Sequence, residues 1–495
     1  MNTTEKIEQL KDQVLPFRPF DAMEEAERLV NKNPTDAESH FFLANIYKLL
    51  NRHHDAALTF EKTYELENSA HPALFNAGIC FNELGQPDQA LKFYDRAAEA
   101  AGTNSILPSL LGALSLHRAG DPEEAIHRYQ RVMDFAPTNA SLLYGLMAAE
   151  RDRGGNAAAE QYVRQIQKGF SRYPESKIDL VTFHQNYDYA GWKAWADKDN
   201  FITSTRSWAS KAKRRLPNFL PKSYIIPQDT HLLKDDSKLK KNPIWIVKST
   251  TLSASVGTHL ISDLSLLKAE PNWIVQEYIA NPYLIKGRKF AMRTYLLVSS
   301  YNPVRAYLFR GGTAKIALRK YTTDPESFHL TSVHTEHTRP DRHRKDLKDA
   351  LASDIGKKGW WTIDQLFMHL EKEGLQPTEI WNQVCAIAQT LIEAMVATNF
   401  FDQHAPKNIR HGYGPKFIAL DLILDDSAKL WLSEIERGPT YNRIFNSDGT
   451  EKMTFDGLAN MAVCPFGKET DSMLQISIAK KHEELHRDRF TLIYG

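Results

Sequence analysis

The stretch that decides the fold of the C-terminal part of this chain is FIALDLILDDSAKLWLSEIE, residues 417–436. It contains two largely apolar runs, Phe417 to Leu424 and Lys429 to Glu436, separated by the polar triplet Asp425-Asp426-Ser427. Two β-rich runs joined by Asp and Ser residues are typical of a β-hairpin. The sequence therefore predicts two antiparallel strands, the second of which ends at Glu436.

One face of this predicted hairpin is acidic. Because successive side chains of a strand point to opposite faces, Glu434 and Glu436 are expected to share a face with Leu432. The opposite face would carry Trp431, Ser433 and Ile435. Asp421, on the partner strand, can add a third carboxylate, and oxygen ligands without a neighbouring His or Cys suit Mg²⁺ bound with nucleotide phosphates. The alternative is that both glutamates simply face solvent on an edge strand.

Short runs rich in β-branched and aromatic residues precede the hairpin. They lie at 244–247, 273–275, 295–298 and 306–309, and each is typical of a strand. Residues 376–399 instead carry apolar residues at helical spacing. Strands that alternate with helices in this way predict an α+β domain large enough to be an enzyme.

A lysine and a loop of small residues follow one predicted strand. Lys248 precedes STTLSASVG, residues 249–257, whose backbone N–H groups could lie over phosphates beside the lysine charge. The extended edge of residues 273–279 could hydrogen-bond a purine. Residues 286–293 bring four cations, and residues 329–332 (HLTS) add polar groups. Walker A, Rossmann and protein-kinase motifs are not visible in the sequence.

The first 175 residues repeat with a period of about 34. Ala44, Gly78 and Gly112 are 34 residues apart, as are Ala56 and Ala90, and aromatic residues recur near them at Phe60, Tyr94 and Tyr129. Small residues where paired helices touch, at this period, are typical of tetratricopeptide repeats. Turns are predicted at residues 51–53, 85–87 and 120–122. We expect an α-solenoid with an opening half-repeat over 20–31, three clear units, and a looser fourth over about 138–174.

Such a solenoid favours the binding of a partner protein or peptide on its concave surface. The alternative is that the array only caps and stabilises the domain that follows. Residues 1–110 contain 17 acidic and 10 basic side chains, a net charge of −7. This charge favours a neutral or basic partner over nucleic acid.

Length and composition set the limits for the whole chain. At 495 residues it is long enough for two or three domains, and its net charge of +1 argues against a generic polycation that binds nucleic acid. The three cysteines are far apart, which supports neither a disulfide scaffold nor a structural zinc site. No apolar run is long enough for a membrane span, and the polar N-terminus lacks a signal peptide. We therefore expect a cytoplasmic protein.

Several blocks together resemble the tubulin–tyrosine ligase-like proteins. They are WIVKSTTLSASVG, WIVQEYIANPYLIKGRKFAMRTYLLVSS, FHLTS and FIALDLILDDSAKLWLSEIERGPT, in that order, and FLPKSYIIP precedes them. The resemblance covers roughly residues 185–465. It implies an ATP-grasp fold and a ligase that couples an amino acid to a protein or peptide with ATP and Mg²⁺. The reaction would pass through an acyl phosphate, and a tubulin tail is one possible acceptor.

The same resemblance implies roles for individual residues. Nucleotide phosphate would be contacted by Lys248 and Lys289. The adenine slot would be lined by Gln276, Glu277, Tyr278 and Ile279, with His329 and Thr331 near the ribose and phosphates. Mg²⁺ would be held by Asp421 and Glu434, and Glu436 could also ligate it. The developing acyl phosphate would be steadied by Arg293 and Lys315.

The resemblance and the repeats together predict three segments. Residues 1–175 would form the tetratricopeptide solenoid, residues 176–200 a junction, and residues 201–495 the α+β ATP-grasp domain. We expect the solenoid to recruit a partner protein for the domain behind it.

The chain departs from the family pattern at five positions. Ser249 replaces a proline, His259 a glycine, Ala291 an aspartate and Glu436 an asparagine, and Ser207 occupies the position of an upstream lysine. The loss of the aspartate affects expected contacts to ribose or amino acid. The alternative to an active ligase is therefore a degenerate nucleotide-binding scaffold or interaction module.

Two charged segments have less specific interpretations. Residues 206–248 contain 11 basic and 3 acidic side chains, which could grip an acidic protein tail or form a solvated helix face. The segment from His334 to Arg344 is rich in His and Arg. Without cysteines or helical spacing, it is interpreted as a mobile loop rather than a metal site.

Overall fold

The described part of the molecule divides into helices followed by sheets. The computed structural model describes residues 3–15, 19–102, 105–172, 197–250, 258–267, 273–301, 304–334, 360–398, 416–436 and 490–494. The loop predicted to lie over phosphates at 251–257 and the junction residues 176–196 lie outside these ranges. The predicted domain boundaries therefore stay predictions.

The N-terminal part is built from paired helices. They are α1 (Thr3–Gln9, continued by a π-helical turn, Leu10–Val14), α2 (Pro19–Lys32), α3 (Ala37–Leu49), α4 (His53–Leu66), α5 (His71–Glu83), α6 (Pro87–Ala101), α7 (Ile106–Ala119), α8 (Pro122–Met133), α9 (Ala140–Arg153) and α10 (Asn156–Arg172). Consecutive helices from α2 to α10 pack against each other. Each of the three predicted turns separates a helix pair. Pro87 and Pro122 begin α6 and α8, where a missing N–H costs nothing.

Small residues let these helices approach closely, as the 34-residue period predicts. Ala44 is fully buried, and an ideal Cβ on Gly78 would lie 2.6 Å from Cε1 of the buried Tyr94. At the equivalent position of the next repeat, an ideal Cβ on Gly112 would lie 3.4 Å from Cδ1 of Leu91. The aromatic residue of one repeat therefore packs on the backbone of the helix before it at Gly78, while Gly112 leaves room for a methyl group.

The first sheet of the C-terminal part has four strands. They are β1 (Ser223–Ile226), β2 (Trp245–Ser249), β3 (His259–Ile261) and β4 (Trp273–Glu277), in the antiparallel order β1-β4-β2-β3. Helix α11 (Lys198–Lys211) precedes this sheet, and α12 (Thr230–Lys238) follows β1. The prediction that residues 273–279 form an open edge is wrong for the strand itself. β1 pairs with one side of β4 and β2 with the other.

The second sheet has seven strands. Its main path is β10-β9-β6-β7-β11, with β5 paired to β6 and β8 paired to β7. The strands are β5 (Leu284–Ile285), β6 (Arg288–Tyr301), β7 (Val304–Ile316), β8 (Trp360–Thr362), β9 (Lys416–Leu424), β10 (Leu430–Glu436) and β11 (Phe490–Tyr494). Three helices accompany them: α13 (Thr331–His334), α14 (Ile363–Lys372) and α15 (Pro377–Ala397). The hairpin and the long helix are thus confirmed, as is the α+β class.

One face of the seven-stranded sheet is covered by helices. Phe290 and Met292 of β6, together with the alternate apolar residues of β7 and β9, belong to one core cluster with α14 and α15. Helix α15 is long and apolar enough to cross a membrane, but about half of it is buried inside this fold, as in the core helix of a globular domain. The residues between the core positions of β6 therefore lie on the opposite, polar face.

A β-bulge in the hairpin corrects one predicted orientation. The pairing of β10 with β9 shifts between Leu432 and Glu434, so that Ser433 is an extra residue in the ladder. Leu432 and Ile435 both lie in the core. Leu432 therefore does not share a face with Glu434, whereas Glu434 and Glu436 share the polar face as predicted.

Substitution of Gly78 by alanine should destabilise the solenoid by about 1–3 kcal/mol, because the new methyl group would overlap the ring of the buried Tyr94. The matched substitution Gly112→Ala should be neutral or slightly stabilising, since alanine is the better helix former and has ordinary contacts there. Urea unfolding followed by circular dichroism measures both. Equal destabilisation by the two variants would contradict this packing model.

Candidate functional site

A row of three charged side chains crosses the polar face of the seven-stranded sheet. Arg293 on β6 lies directly opposite Asp421 on β9, and Asp421 lies opposite Glu434 on β10. Directly opposed residues of antiparallel strands share a face, with Cβ atoms close together. The register alone therefore brings together residues that are 128 and 13 positions apart in the chain.

The Arg293 guanidinium is held by two carboxylates. Its Nε and Nη2 donate to the two oxygens of Asp421, each at 2.6 Å, and Nη2 lies 2.5 Å from Oε2 of Glu436. Arg293 and Asp421 are both more than nine-tenths buried. Burial alone lowers the pKa of Arg293, but Asp421 and Glu436 outweigh it, and the net pKa is well above the ordinary value. The guanidinium is therefore permanently charged.

Glu434 is paired with a residue that the sequence reasoning missed. Lys198, the first residue of α11, places its Nζ 3.0 Å from Oε1 of Glu434. Burial raises the pKa of Glu434, but the charges of Lys198 and Lys248 lower it more, and the net pKa is below the ordinary value. No motif pointed to Lys198, because it lies more than 230 positions from its partner and outside the quoted blocks. It supplies a lysine near the site although Ser207 replaces the expected one.

Glu436 lies in a different electrostatic position from Glu434. Burial raises its pKa most, Arg293 lowers it, and the nearby Asp421 and Glu434 raise it again, so that the net pKa is above the ordinary value. Lys315 on β7 lowers it slightly and lies on the same face, opposite Ala291. The two glutamates of the hairpin are therefore inequivalent, although they are only two residues apart.

Lys248 links the two sheets. Its Nζ donates to Oε1 of Gln276, at 3.0 Å on β4, and to the backbone oxygen of Ser433, at 3.2 Å on β10. Gln276 in turn donates to Oγ of Ser223. Lys248, the second-last residue of β2, is thus within hydrogen-bond distance of the hairpin, immediately beside Glu434, as the sequence-based interpretation requires.

A second buried lysine, Lys289 near the start of β6, contacts Tyr278, the residue that follows β4. Lys289 Nζ donates to the hydroxyl of Tyr278 at 3.2 Å and lies 4.4 Å from the centre of its ring. Glu277 instead pairs with Lys240 and is partly exposed, and Ile279 is half-buried. Of the predicted nucleotide residues, the structure therefore brings Tyr278 and Lys289 together, and it brings Gln276 to Lys248.

The other two residues predicted to bind nucleotide lie just before α13 and at its first position. His329 is exposed on the turn before α13. Thr331 begins α13, but its side chain lies outside the described residues. Among the described residues, no contact assigns a role to His329.

A cavity of about 490 Å³ adjoins the charged row. Apolar side chains line much of it, and Lys198, Gln276 and Glu434 lie at its wall. This volume is in the range of small-molecule sites, which commonly combine apolar walls with a few polar groups.

The sequence of the chain matches two family models. A model of the tubulin-tyrosine ligase family matches residues 182–465, more than half of the chain. The chain belongs to the tubulin-tyrosine ligase family. A tetratricopeptide repeat model matches residues 72–101, which correspond to all but the first residue of α5 and to the whole of α6. The resemblance inferred from the motif blocks is confirmed.

Relatives within this family are named as tubulin-modifying enzymes. The chain is 28% identical over 247 residues to tubulin monoglutamylase TTLL4 of mouse, which covers 49% of this chain and 20% of the relative. It is 25% identical over 280 residues to tubulin polyglutamylase TTLL7 of mouse, covering 54% and 30%. It is 32% identical over 170 residues to the probable tubulin polyglutamylase TTLL9 of rat, covering 33% and 32%. The chain thus spans at most a third of these relatives.

The carboxylates of this family member have the chemistry that Mg²⁺ requires. Among the described residues, no three His, Cys, Asp or Glu side chains converge closely enough to hold a metal by themselves. Mg²⁺ commonly needs only one or two carboxylates, with water and substrate phosphates completing its shell. Asp421 and Glu434, opposite each other with all-oxygen donors, fit that requirement. Arg293 and Lys198 now balance their charge.

Replacement of the two hairpin glutamates by glutamine should change stability in opposite directions. Above its raised folded pKa, ionised Glu436 costs stability, so Glu436→Gln should stabilise the chain at neutral pH, with a gain that shrinks as the pH falls through the raised pKa and is lost below the ordinary 4.5. The lowered pKa of Glu434 has the opposite sign, so Glu434→Gln should destabilise at neutral pH and lose this effect in acid.

Urea unfolding at a series of pH values, with a metal chelator present, measures both effects. Glu371→Gln, on the exposed side of α14, controls for the loss of a surface charge. Destabilisation by Glu436→Gln at neutral pH would contradict the assignment of the two glutamates.

Proposed function

We propose that this protein is an ATP- and Mg²⁺-dependent ligase that couples an amino acid to a carboxylate of a protein or peptide. The observation that carries this proposal is the contact of Lys248 with Ser433. It brings the lysine at the end of β2 next to the acidic pair Asp421 and Glu434. A cationic group facing paired carboxylates is what binding of a metal–triphosphate complex requires. Membership of the family supports the same reaction.

The nucleotide would lie between the two sheets. Lys248 and Lys289, both buried, would neutralise phosphate charge, and Gln276 holds Lys248 in place. Because β4 is paired on both sides, the purine would be contacted by residues near and beyond its end, namely Tyr278 and Ile279. Glu277, His329 and Thr331 would contribute from the rim.

Asp421 and Glu434 would hold Mg²⁺, with Glu436 as a further oxygen ligand. When bound, the ion would supply positive charge to the phosphate oxygens. The low pKa of Glu434 keeps this carboxylate ionised and ready to bind a cation. The raised pKa of Glu436 means that its ionised form is destabilised by its surroundings. A bound cation would therefore stabilise this carboxylate more than the others.

The chemistry needs charge neutralisation rather than a protein nucleophile. A carboxylate is a poor acylating agent, so an oxygen of the acceptor carboxylate attacks the γ-phosphorus of ATP, ADP leaves, and an acyl phosphate forms. The amine of the amino acid then attacks the acyl carbon, inorganic phosphate leaves, and an amide bond forms with loss of a proton. Arg293 and Lys315 would stabilise the negative charge of these steps through preorganised positive charge.

The names of the relatives suggest the substrates. Since TTLL4 and TTLL7 are named glutamylases of tubulin, we propose that glutamate is the amino acid and that the acceptor is an acidic protein segment such as a tubulin tail. The basic stretch of residues 206–248 would attract such a segment electrostatically. The cavity beside Lys198 and Glu434 is the space available for the reacting groups.

The tetratricopeptide solenoid would recruit a partner protein. Repeat arrays of this kind bury their apolar stripes between neighbours and leave an extended surface for binding. The net charge of −7 over residues 1–110 favours a partner with a neutral or basic binding segment. We further propose that the modification takes place in the cytoplasm, as expected from the sequence.

One observation favours a second function, a nucleotide-binding scaffold without turnover. Glu436 and Asp421 both engage Arg293, and Ala291 presents no carboxylate opposite Lys315. If this ion cluster persists when nucleotide binds, Arg293 is not available to an acyl phosphate. The two functions differ in ADP release, which an assay measures directly.

Replacement of Glu434 by glutamine should lower ADP formation by at least about 100-fold, because a proposed ligand of Mg²⁺ is lost, and with it positive charge held against the transferred phosphoryl group. ADP release is measured with Mg·ATP, amino acid and acceptor together, and with each left out. Asp426→Asn, in the exposed turn of the same hairpin, is the matched control and should keep activity.

A thermal-shift measurement separates the outcomes. Stabilisation of the wild type by Mg·ATP without ADP formation in any mixture would favour the scaffold. The absence of both a shift and ADP would contradict the proposed nucleotide site itself.

A further inference from the structure

A buried histidine adjoins Tyr278 and Lys289. His334 is the last residue of α13 and is only 3% exposed. The interpretation of the segment that starts at His334 as a mobile loop is therefore wrong for its first residue. The others, at 335–344, lie outside the described residues.

Both ring nitrogens of His334 have hydrogen-bond partners. Nδ1 lies 3.1 Å from the hydroxyl of Tyr278, and Nε2 lies 3.0 Å from Oγ of Ser327. The ring also meets the edges or faces of Tyr278, Tyr321 and Phe328, with centroid separations of 5.7, 6.0 and 5.9 Å. A ring with this many partners has one orientation.

The direction of the hydrogen bonds can be deduced. Ser327 donates its hydroxyl proton to the backbone oxygen of Asp324 at 2.6 Å, so its oxygen must accept from His334. Nε2 therefore carries the proton, and in the neutral ring Nδ1 is an acceptor. The hydroxyl of Tyr278 donates to Nδ1, which leaves the tyrosine oxygen to accept from Lys289 at 3.2 Å.

Lys289 is held a second time by the same residue. Its Nζ donates to the backbone oxygen of His334 at 3.0 Å. Burial and the charge of Lys289 lower the pKa of His334 to about 4, so the ring is neutral near pH 7, as the deduced chain of hydrogen bonds requires. Protonation would place a second N–H against the tyrosine hydroxyl and reverse that bond.

We propose that His334 is a positioning residue of the nucleotide site, which orients the Tyr278 hydroxyl through its ring and the Lys289 ammonium through its backbone oxygen and through Tyr278. This inference rests on the proposed function, in which Tyr278 and Lys289 contact ATP. It adds a residue that does not itself touch the nucleotide, and it predicts effects on ATP binding rather than on the chemical step.

Two substitutions separate positioning from simple space filling. The side-chain oxygen of asparagine can occupy the place of Nδ1 and accept from Tyr278, whereas the amide of glutamine reaches the place of Nε2 and Ser327. His334→Gln should therefore raise the KM for ATP roughly tenfold, the cost of one lost buried hydrogen bond, with little change in kcat. His334→Asn should stay close to the wild type, and His231→Gln, on the exposed side of α12, is the control.

A double-mutant cycle with Tyr278→Phe tests the route of the effect. Tyr278→Phe removes the hydroxyl but keeps the ring, and it should raise the KM for ATP by a similar factor. His334→Gln added to this variant should then have almost no further effect, because the bond it removes is already gone. Independent, multiplying effects would overturn the proposal, as would an unchanged KM in His334→Gln or a larger defect in His334→Asn than in His334→Gln.

Nuclear magnetic resonance tests the hydrogen-bond chain without nucleotide. In the full chain labelled with ¹⁵N-histidine, His334 should show the Nε2–H tautomer and no protonation between about pH 6 and pH 8, where ordinary histidines titrate. A titrating His334 would overturn the deduced chain. If the wild type binds no ATP, the proposed function fails and the positioning role with it. If the wild type binds ATP and the variants bind it equally well, the positioning role alone fails.

Discussion

The Arg293 guanidinium and the Asp421 carboxylate form a bidentate pair between two neighbouring strands of the seven-stranded sheet. Both groups are buried, so each depends on the other, since breaking a buried pair by removal of one partner costs roughly 3–5 kcal/mol. A slip of one residue between β6 and β9 would turn one of the two toward the apolar core. The pair therefore fixes the register, and the register in turn places Glu434 opposite Asp421.

The remaining charges of the face are arranged around this pair. Glu434 lies near two lysines and has a lowered pKa, whereas Glu436 lies near two other carboxylates and has a raised one. Arg293 and Lys198 act as internal counter-ions of this acidic surface. A divalent cation that entered between Asp421 and Glu434 would compete with these two side chains. Metal binding in the proposed ligase would therefore be coupled to movement of Arg293 and Lys198.

The secondary-structure elements that depend on a local pattern of apolar residues were predicted correctly from the sequence. The 34-residue period located the helix pairs, and the apolar runs located the hairpin and helix α15, because burial repeats with the period of each element. The sequence did not predict that Leu432 and Glu434 lie on opposite faces of β10. The β-bulge at Ser433 adds one residue to the strand, and no residue type marks its position. Lys198 was missed because only the tertiary fold brings it to Glu434. His334 was assigned to a loop because its burial depends on aromatic side chains up to 56 positions away.

The β-bulge at Ser433 explains how β10 contributes side chains both to the apolar core and to the candidate site. A regular strand with Leu432 in the core would also send Glu434 and Glu436 into it. The extra residue reverses the alternation, so that Leu432 and Ile435 stay in the core while both glutamates face outward. It also leaves the Ser433 carbonyl able to accept a hydrogen bond from Lys248 of the other sheet. A single inserted residue thus creates the acidic face and ties it to the lysine that faces it.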